Sequence, residues 1–244
     1  MTHSEGPVPP ETAARTHVGC TRKVNEDAML ARPGDGLWAV ADGMGGHQAG
    51  DVASRLIVDA LDSAGDTADL QAFISEVRGL LEAANTALIS LGQRWEPARI
   101  MGSTVAVLTV RGTSFTCLWA GDSRIYRIRG GVCEQLTRDH SLVQELVDAA
   151  IITPEQAKTH PDGHVVTRAL GATSRLDLDT ACGDAASGDC FLLATDGLTR
   201  VVDDHEFASA LALPELGRSA DELIDMALSR GAPDNVAVVL VRIP

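Results

Sequence analysis

The residues best able to do chemistry in this chain are aspartates placed where apolar segments stop. Leu37-Trp38-Ala39-Val40-Ala41 runs into Asp42-Gly43, Phe115 through Gly121 into Asp122, and Phe191 through Thr195 into Asp196-Gly197. Asp234-Asn235 stands directly before the apolar segment that opens at Val236. A single Asp-Gly pair is an ordinary turn, because glycine lets the backbone reverse and the short acid caps it. Four such carboxylates at the margins of buried segments are harder to read that way. Brought together they would repel one another unless a cation lay among them. Carboxylate and carbonyl oxygens are the ligands that Mg²⁺ and Mn²⁺ prefer. Two such ions sharing a carboxylate can activate a water and shield a phosphoryl oxygen without a protein nucleophile. Arg22, in Gly19-Cys20-Thr21-Arg22-Lys23-Val24-Asn25-Glu26-Asp27, adds a guanidinium fork shaped to grip a phosphate dianion.

The elements that must position these groups are legible from hydrophobic period. Leu37 to Val40 reads as a buried strand. Residues 51–64 place Val52, Leu56, Ala60 and Leu61 on one helical stripe. A longer helix over 69–91 carries Leu70, Phe73, Ile74, Val77, Leu81, Ala84 and Leu88 on one face, with Gly92 as its stop. Thr104 to Val110, Phe115 to Ala120 and Ile125 to Arg129 follow as strands, and their short Gly-containing connections predict an antiparallel meander. Residues 141–158 are polar and partly helical, with a helix start at Thr153-Pro154-Glu155. Residues 160–188 carry few signals. Cys190 to Thr195 reads as a buried strand, Ser219 and Glu222 as a capping box for a helix ending near Gly231, and Val236 to Arg242 as the last strand. Mixed in this order, the elements point to an α+β architecture, antiparallel sheet covered by helices. Residues 1–14 read as a flexible tail before a single domain over 15–244.

Bulk properties narrow the partners. The chain has 244 residues, 45% of them hydrophobic, and a net charge of -14. That charge disfavours nucleic acid and anionic membrane, both polyanions, and otherwise keeps a protein in solution. The five cysteines form no CxxC pair, and Cys117 and Cys190 fall in apolar segments, so neither a zinc site nor a disulfide framework is expected. The polar, Pro-rich start lacks the apolar stretch of a signal peptide, and no apolar run approaches a membrane span. A cytoplasmic protein is expected.

Other chemistries fail on spacing. None of the cysteines has an arginine six positions on, as a cysteine-dependent phosphatase loop requires. Asp177-Leu178-Asp179-Thr180 only approximates an aspartyl-phosphate motif and reads as a surface turn. Gly43-Met44-Gly45-Gly46 would need its third dinucleotide glycine at Gln48. His160 and His164 have zinc-helix spacing, but Pro161 and Gly163 break that helix, leaving them exposed.

Taken in order, Arg22 to Asp27, Asp42-Gly43-Met44-Gly45-Gly46-His47, Met101-Gly102-Ser103-Thr104, Gly121-Asp122-Ser123-Arg124, Leu136 to Ser141, Thr167 to Gly171, Ala194 to Gly197 and Asp234-Asn235 resemble the serial motifs of bacterial 2C-type metal-dependent protein serine/threonine phosphatases. The resemblance runs from about Thr16 to Ile243. It implies a four-layer α-β-β-α sandwich with a binuclear Mn²⁺ or Mg²⁺ centre at one edge. By similarity, Asp42 bridges the ions, the Gly43 carbonyl binds one, Asp196 and Asp234 hold the other, and Glu26 acts through water. Arg22 would bind the substrate phosphate, Asp122 would belong to a third metal site shared with Asp196, and residues 141–166 would form a flap that sets substrate preference. Met44 stands where eukaryotic members carry a histidine thought to be the general acid. That role is left open here, with Asp27 as a candidate for it or for a supporting place, and His47 as structural. The implied activity is hydrolysis of phosphoserine and phosphothreonine in proteins by a monomer opposing a Ser/Thr kinase. The alternative is a catalytically inactive binding module on the same fold.

Overall fold

Apolar residues on both faces of the central strands require cover on both sides, and the chain supplies it with two sheets and two helical layers. The computed structural model describes residues 8–45, 49–65, 67, 69–94 and 100–244. In chain order these form β1 (Glu11–His17), β2 (Asp27–Arg32), β3 (Leu37–Met44), α1 (Ala49–Asp62), α2 (Leu70–Gln93), β4 (Gly102–Ser103), β5 (Val105–Arg111) and β6 (Ser114–Ala120). They continue as β7 (Arg124–Arg129), β8 (Val132–Gln135), α3 (Leu142–Asp148), α4 (Pro154–Lys158), β9 (Asp179–Asp184), β10 (Cys190–Ala194), α5 (Asp196–Thr199), α6 (Asp204–Ala210), α7 (Leu216–Ser229) and β11 (Val236–Arg242). One sheet has the order β1-β11-β10-β7-β8 and the other β2-β3-β5-β6-β9, with β4 paired to β3. Every ladder is antiparallel.

Alternation along each strand sorts its side chains between layers. On β3, Trp38 and Val40 meet Phe191, Leu193, Val239 and Val241 of the other sheet. Leu37, Ala39 and Ala41 face the opposite way, onto Ile57, Leu61, Phe73 and Leu81 of α1 and α2. The outer face of the first sheet carries Tyr126, Leu192 and Leu240 against Phe207, Leu216 and Leu223 of α6 and α7. The result is the expected α-β-β-α order. Buried Cys117 and Cys190 are ordinary core residues.

The structure corrects several expectations. Residues 11–14 are not tail. They lie in β1, whose register from Glu11↔Arg242 to His17↔Val236 covers the edge of β11. Its polar, weakly alternating residues concealed it. The three-strand meander is really one hairpin, β5–β6, after which the chain crosses to the other sheet and β7 pairs with β10. The crossing turn is Gly121-Asp122-Ser123. The stripe of α1 is Ala53, Ile57 and Leu61, while Val52 is 43% exposed. Ser219 does not cap α7. The helix starts a turn earlier with Glu215 as N-cap, and Ser219 is buried inside it, because Leu216, Ala220 and Leu223 extend the apolar face backwards. Asp179 and Thr180 open β9 rather than a surface turn.

Candidate metal centre

The acids gather because strand ends from both sheets meet at one edge of the sandwich. Asp27 and Asp42 are direct cross-strand partners on β2 and β3. Asp196 heads α5 immediately after β10, and Asp234 precedes β11. Asp122 sits on the crossing between the sheets. Burial, and the charges of others in the group, raise Asp27, Asp42, Asp122 and Asp196, so the acids share one electrostatic neighbourhood.

A layer of hydrogen bonds fixes the backbone beneath them. Asn235 Oδ1 accepts from the Glu26 amide at 2.8 Å, and its Nδ2 donates to the carbonyls of Val18 and Val24 at 2.9 Å each. The Asn of Asp234-Asn235 therefore staples the loop carrying Arg22 and Glu26 to β11. Thr195 Oγ1 donates to Asp27 Oδ2 at 2.8 Å and accepts from the Ala237 amide at 2.9 Å. Thr104 Oγ1 accepts from the Asp42 amide at 3.1 Å and lies 2.7 Å from Ser123 Oγ. His140 Nδ1 accepts from the Gly121 amide at 3.1 Å, beside Asp122, while its Nε2 faces Asp179 Oδ2 at 3.2 Å.

Close backbone approach is the other device. The Gly43 amide donates to the Glu26 carbonyl at 3.1 Å, and both segments press on the first turn of α1. A Cβ on Gly50 would lie 2.6 Å from the Gly43 carbonyl oxygen and 2.7 Å from Glu26 Oε1. Only glycine fits there. Gly46 and His47 of the same segment lie outside the described residues.

Electrostatics follow from this crowding. Burial, then the charges of Asp196, Asp27, Asp122 and Asp234, push Asp42 well above the usual carboxylate range. Burial likewise raises Asp27, against the Thr195 hydrogen bond. It raises Asp196 too, with the Arg200 charge opposing. Asp122 is pushed up to about 7, burial first and the charge of Asp196 next. Two arginines moderate the group: Arg22 pairs with Asp234 at 2.8 Å, and Arg200 with Asp196 at 2.8 Å and Asp122 at 3.3 Å. Arg200 and Gly50 lie outside every motif read from the sequence, and Thr104, Ser123, His140 and Thr195 stood within motifs without a role assigned. The Asp196–Arg200 spacing of four on a helix was the available signal.

Among the described residues, no three Asp, Glu, His or Cys side chains converge as a ready-made metal cage. The donor set nevertheless suits a hard divalent cation. Asp122 Oδ1 and Asp196 Oδ1 are buried with no hydrogen-bond partner, a costly state that a cation would relieve. All available donors are oxygens, as Mg²⁺ and Mn²⁺ require. A groove of about 740 Å³ opens beside the acids, lined by Asp122, Gln144, Lys158, His164, Asp196 and Arg200. Its outer wall is the 141–166 segment, closed by a β-bridge between Ser141 and Val166 and a hydrogen bond from the Leu142 amide to the Val165 carbonyl.

The protein phosphatase 2C family profile matches residues 20–229 of this chain. The chain belongs to the protein phosphatase 2C family. Streptococcus pneumoniae protein phosphatase PhpP is 36% identical over 240 residues, 95% of this chain and 96% of that one. Mycobacterium tuberculosis serine/threonine protein phosphatase PstP is 38% identical over 228 residues, covering 93% of this chain but spanning only 44% of PstP. The solved structure of PppA, a key regulatory component of T6SS in Pseudomonas aeruginosa, superposes with TM-score 0.89 at 43% identity, covering 97% and 98% of the two chains. A catalytic domain of PstP solved with two manganese ions superposes with TM-score 0.84 at 37% identity, covering 97% and 99%. Within the 2C phosphatase frame, Met44 ends β3 next to Gly102 of β4, so no imidazole occupies that position. Among the described residues, no helix is long and apolar enough to cross a membrane.

Proposed function

We propose that this chain hydrolyses phosphoserine and phosphothreonine in proteins at a binuclear Mn²⁺ or Mg²⁺ centre. The observation that carries the reading is the pair of buried, partnerless oxygens, Asp122 Oδ1 and Asp196 Oδ1, within an acid cluster flanked by Arg22. Asp42, the Gly43 carbonyl, Asp196 and Asp234 would hold two ions, with Glu26 acting through water and Asp122 available to a third. When bound, the ions supply Lewis-acid polarisation of the phosphoryl group and acidify a water. Arg22 is about half exposed and can leave Asp234 to grip the phosphate with two parallel N–H donors. Water attacks phosphorus, the phosphorus–oxygen ester bond breaks, and the departing alkoxide takes a proton. Asp27 is the candidate donor, since burial raises its carboxyl above the usual carboxylate range, against the Thr195 hydrogen bond. Its place opposite Asp42 on the neighbouring strand equally suits a supporting role. The likeness to PhpP and PstP, which are named as protein phosphatases, supports a phosphoprotein substrate. On that reading the protein acts as a cytoplasmic monomer opposing a Ser/Thr kinase.

The test is release of phosphate from a phosphothreonine peptide by purified protein with Mn²⁺, with and without excess EDTA. Metal-dependent release that EDTA abolishes supports the reading. Folded, Mn²⁺-loaded protein that leaves a panel of phosphopeptides intact would assign the acids to a cation-dependent binding module.

A further inference from the structure

Arg200 makes contacts that the hydrolytic reading does not use. It lies four residues after Asp196, so α5 turns both side chains to the same side. Its Nη2 sits 2.8 Å from Asp196 Oδ2, 3.3 Å from Asp122 Oδ2 and 3.3 Å from the carbonyl oxygen of Gly163. The first two contacts neutralise one edge of the acid cluster. The third reaches across the groove to the 141–166 flap. Both carboxylates turn their other oxygen, Oδ1, into buried space with no partner. One nitrogen thus serves two catalytic-edge acids and the flap together.

We infer that Arg200 is a resident cation for the Asp122–Asp196 pair and, through Gly163, a latch on the flap beside the Lys158–Asp203 ion pair that also ties it down. The two roles exclude each other once a divalent cation arrives. A divalent cation held by the free Oδ1 atoms of Asp122 and Asp196 would repel the guanidinium and offset the negative charge that anchors it on their Oδ2 atoms. Arg200 then loses the partners that aim it at Gly163, and the flap is released from that point. Cation occupancy at this edge and access to the groove are coupled through one side chain, which makes Arg200 a positioning residue rather than a catalytic one.

The inference rests on the metal-centre reading, so the experiment reads binding and backbone protection, not turnover. Mn²⁺ bound per chain is measured by equilibrium dialysis for the wild type, Arg200→Ala and Arg200→Lys. Amide hydrogen exchange is followed at Gly163 and Val165, whose N–H groups bond within the flap to His160 and Asp162. In Arg200→Ala, the weakest Mn²⁺ step should tighten about tenfold as the competing charge goes. In the same metal-free variant, exchange at Gly163 and Val165 should quicken about tenfold. Arg200→Lys, keeping the charge without the planar fork, should restore the weak Mn²⁺ step but not the protection. In the wild type, which needs no substitution to fold, the last ion to bind should speed flap exchange. Unchanged Mn²⁺ affinity in Arg200→Ala, or flap exchange indifferent to both the variant and the ion, overturns the inference while leaving the centre intact. A wild type that binds no Mn²⁺ fells the centre, and this coupling with it.

Discussion

Asp189 and Asp196 stand at opposite ends of β10, 1% and 8% exposed, and their surroundings treat them in opposite ways. Asp189 takes two bonds from Arg129, at 2.6 and 2.5 Å, and a third from the Ala186 amide at 2.8 Å. Those bonds outweigh its burial and hold its carboxyl below the usual carboxylate range. Asp196 has one arginine, acidic neighbours and an oxygen with no partner, and its carboxyl is raised. The same residue type at the same kind of position serves as a strut at one end and, on the proposed function, as a metal ligand at the other. Satisfaction of its oxygens, not burial, separates the two.

The comparison can be broken by exchanging each acid for its amide. Asp196→Asn should lower Mn²⁺-dependent phosphopeptide hydrolysis by at least about 100-fold. Its thermal midpoint should hold or rise, because a repelled buried charge is removed. Near-wild-type turnover would refute its place in the centre. Asp189→Asn should do the reverse, costing about 2 kcal/mol as charge-assisted bonds are lost. By calorimetry that is a midpoint lower by about 4–8 °C, with turnover unchanged. Gly50→Ala sharpens the contrast from the other side. Alanine ordinarily favours a helix by about 0.5–1 kcal/mol, but here its Cβ would collide with the Gly43 carbonyl and Glu26. Hydrolysis should fall about tenfold through displaced ligands, with no gain in stability. The smallest effect concerns acid. Because the folded-state value of Asp189 is depressed, its contribution is complete above about pH 4 and drains away as pH falls through the lower, folded value. Asp189→Asn should therefore flatten the acid limb of the stability curve in that window. An acid limb identical to wild type would show that Arg129 is not what holds the carboxylate.

How much of this was legible in the sequence depended on whether one residue's type could carry the message. The acids at the ends of β3, β10 and β11 were readable because an apolar run ending in Asp-Gly or Asp-Asn is a local signal. The long helix α2 was readable from its apolar stripe, although Asp69, expected as its first residue, is its N-cap and accepts from the Ala72 amide. β1 and β9 were not. Both are edge strands that stay largely exposed, so neither needs a strong apolar pattern of its own. The sheet switch after β6 was hidden because a three-residue Gly-containing turn fits a hairpin equally well. At the site, residue types told which groups could bind a cation. They did not tell which loop an amide such as Asn235 would staple, or that Arg200 would reach both an acid on β10's margin and the flap, since those contacts join distant segments.

The pairing of β1 with β11 has a bearing on how the protein comes into being. Arg22 and its partner Asp234 are 212 residues apart in the chain, and Glu26 and Asn235 are 209 apart. During synthesis the first acids emerge early, yet the strand that shelters β1 and the amide that secures the Glu26 loop are translated some 200 residues later. Domains fold as units, and contacts of this separation form late. On the proposed function, hydrolytic competence should thus appear abruptly, as β11 leaves the ribosome. A nascent or prematurely terminated chain that lacked it would carry most of the acids but no assembled centre, and so could not strip phosphate from proteins around it.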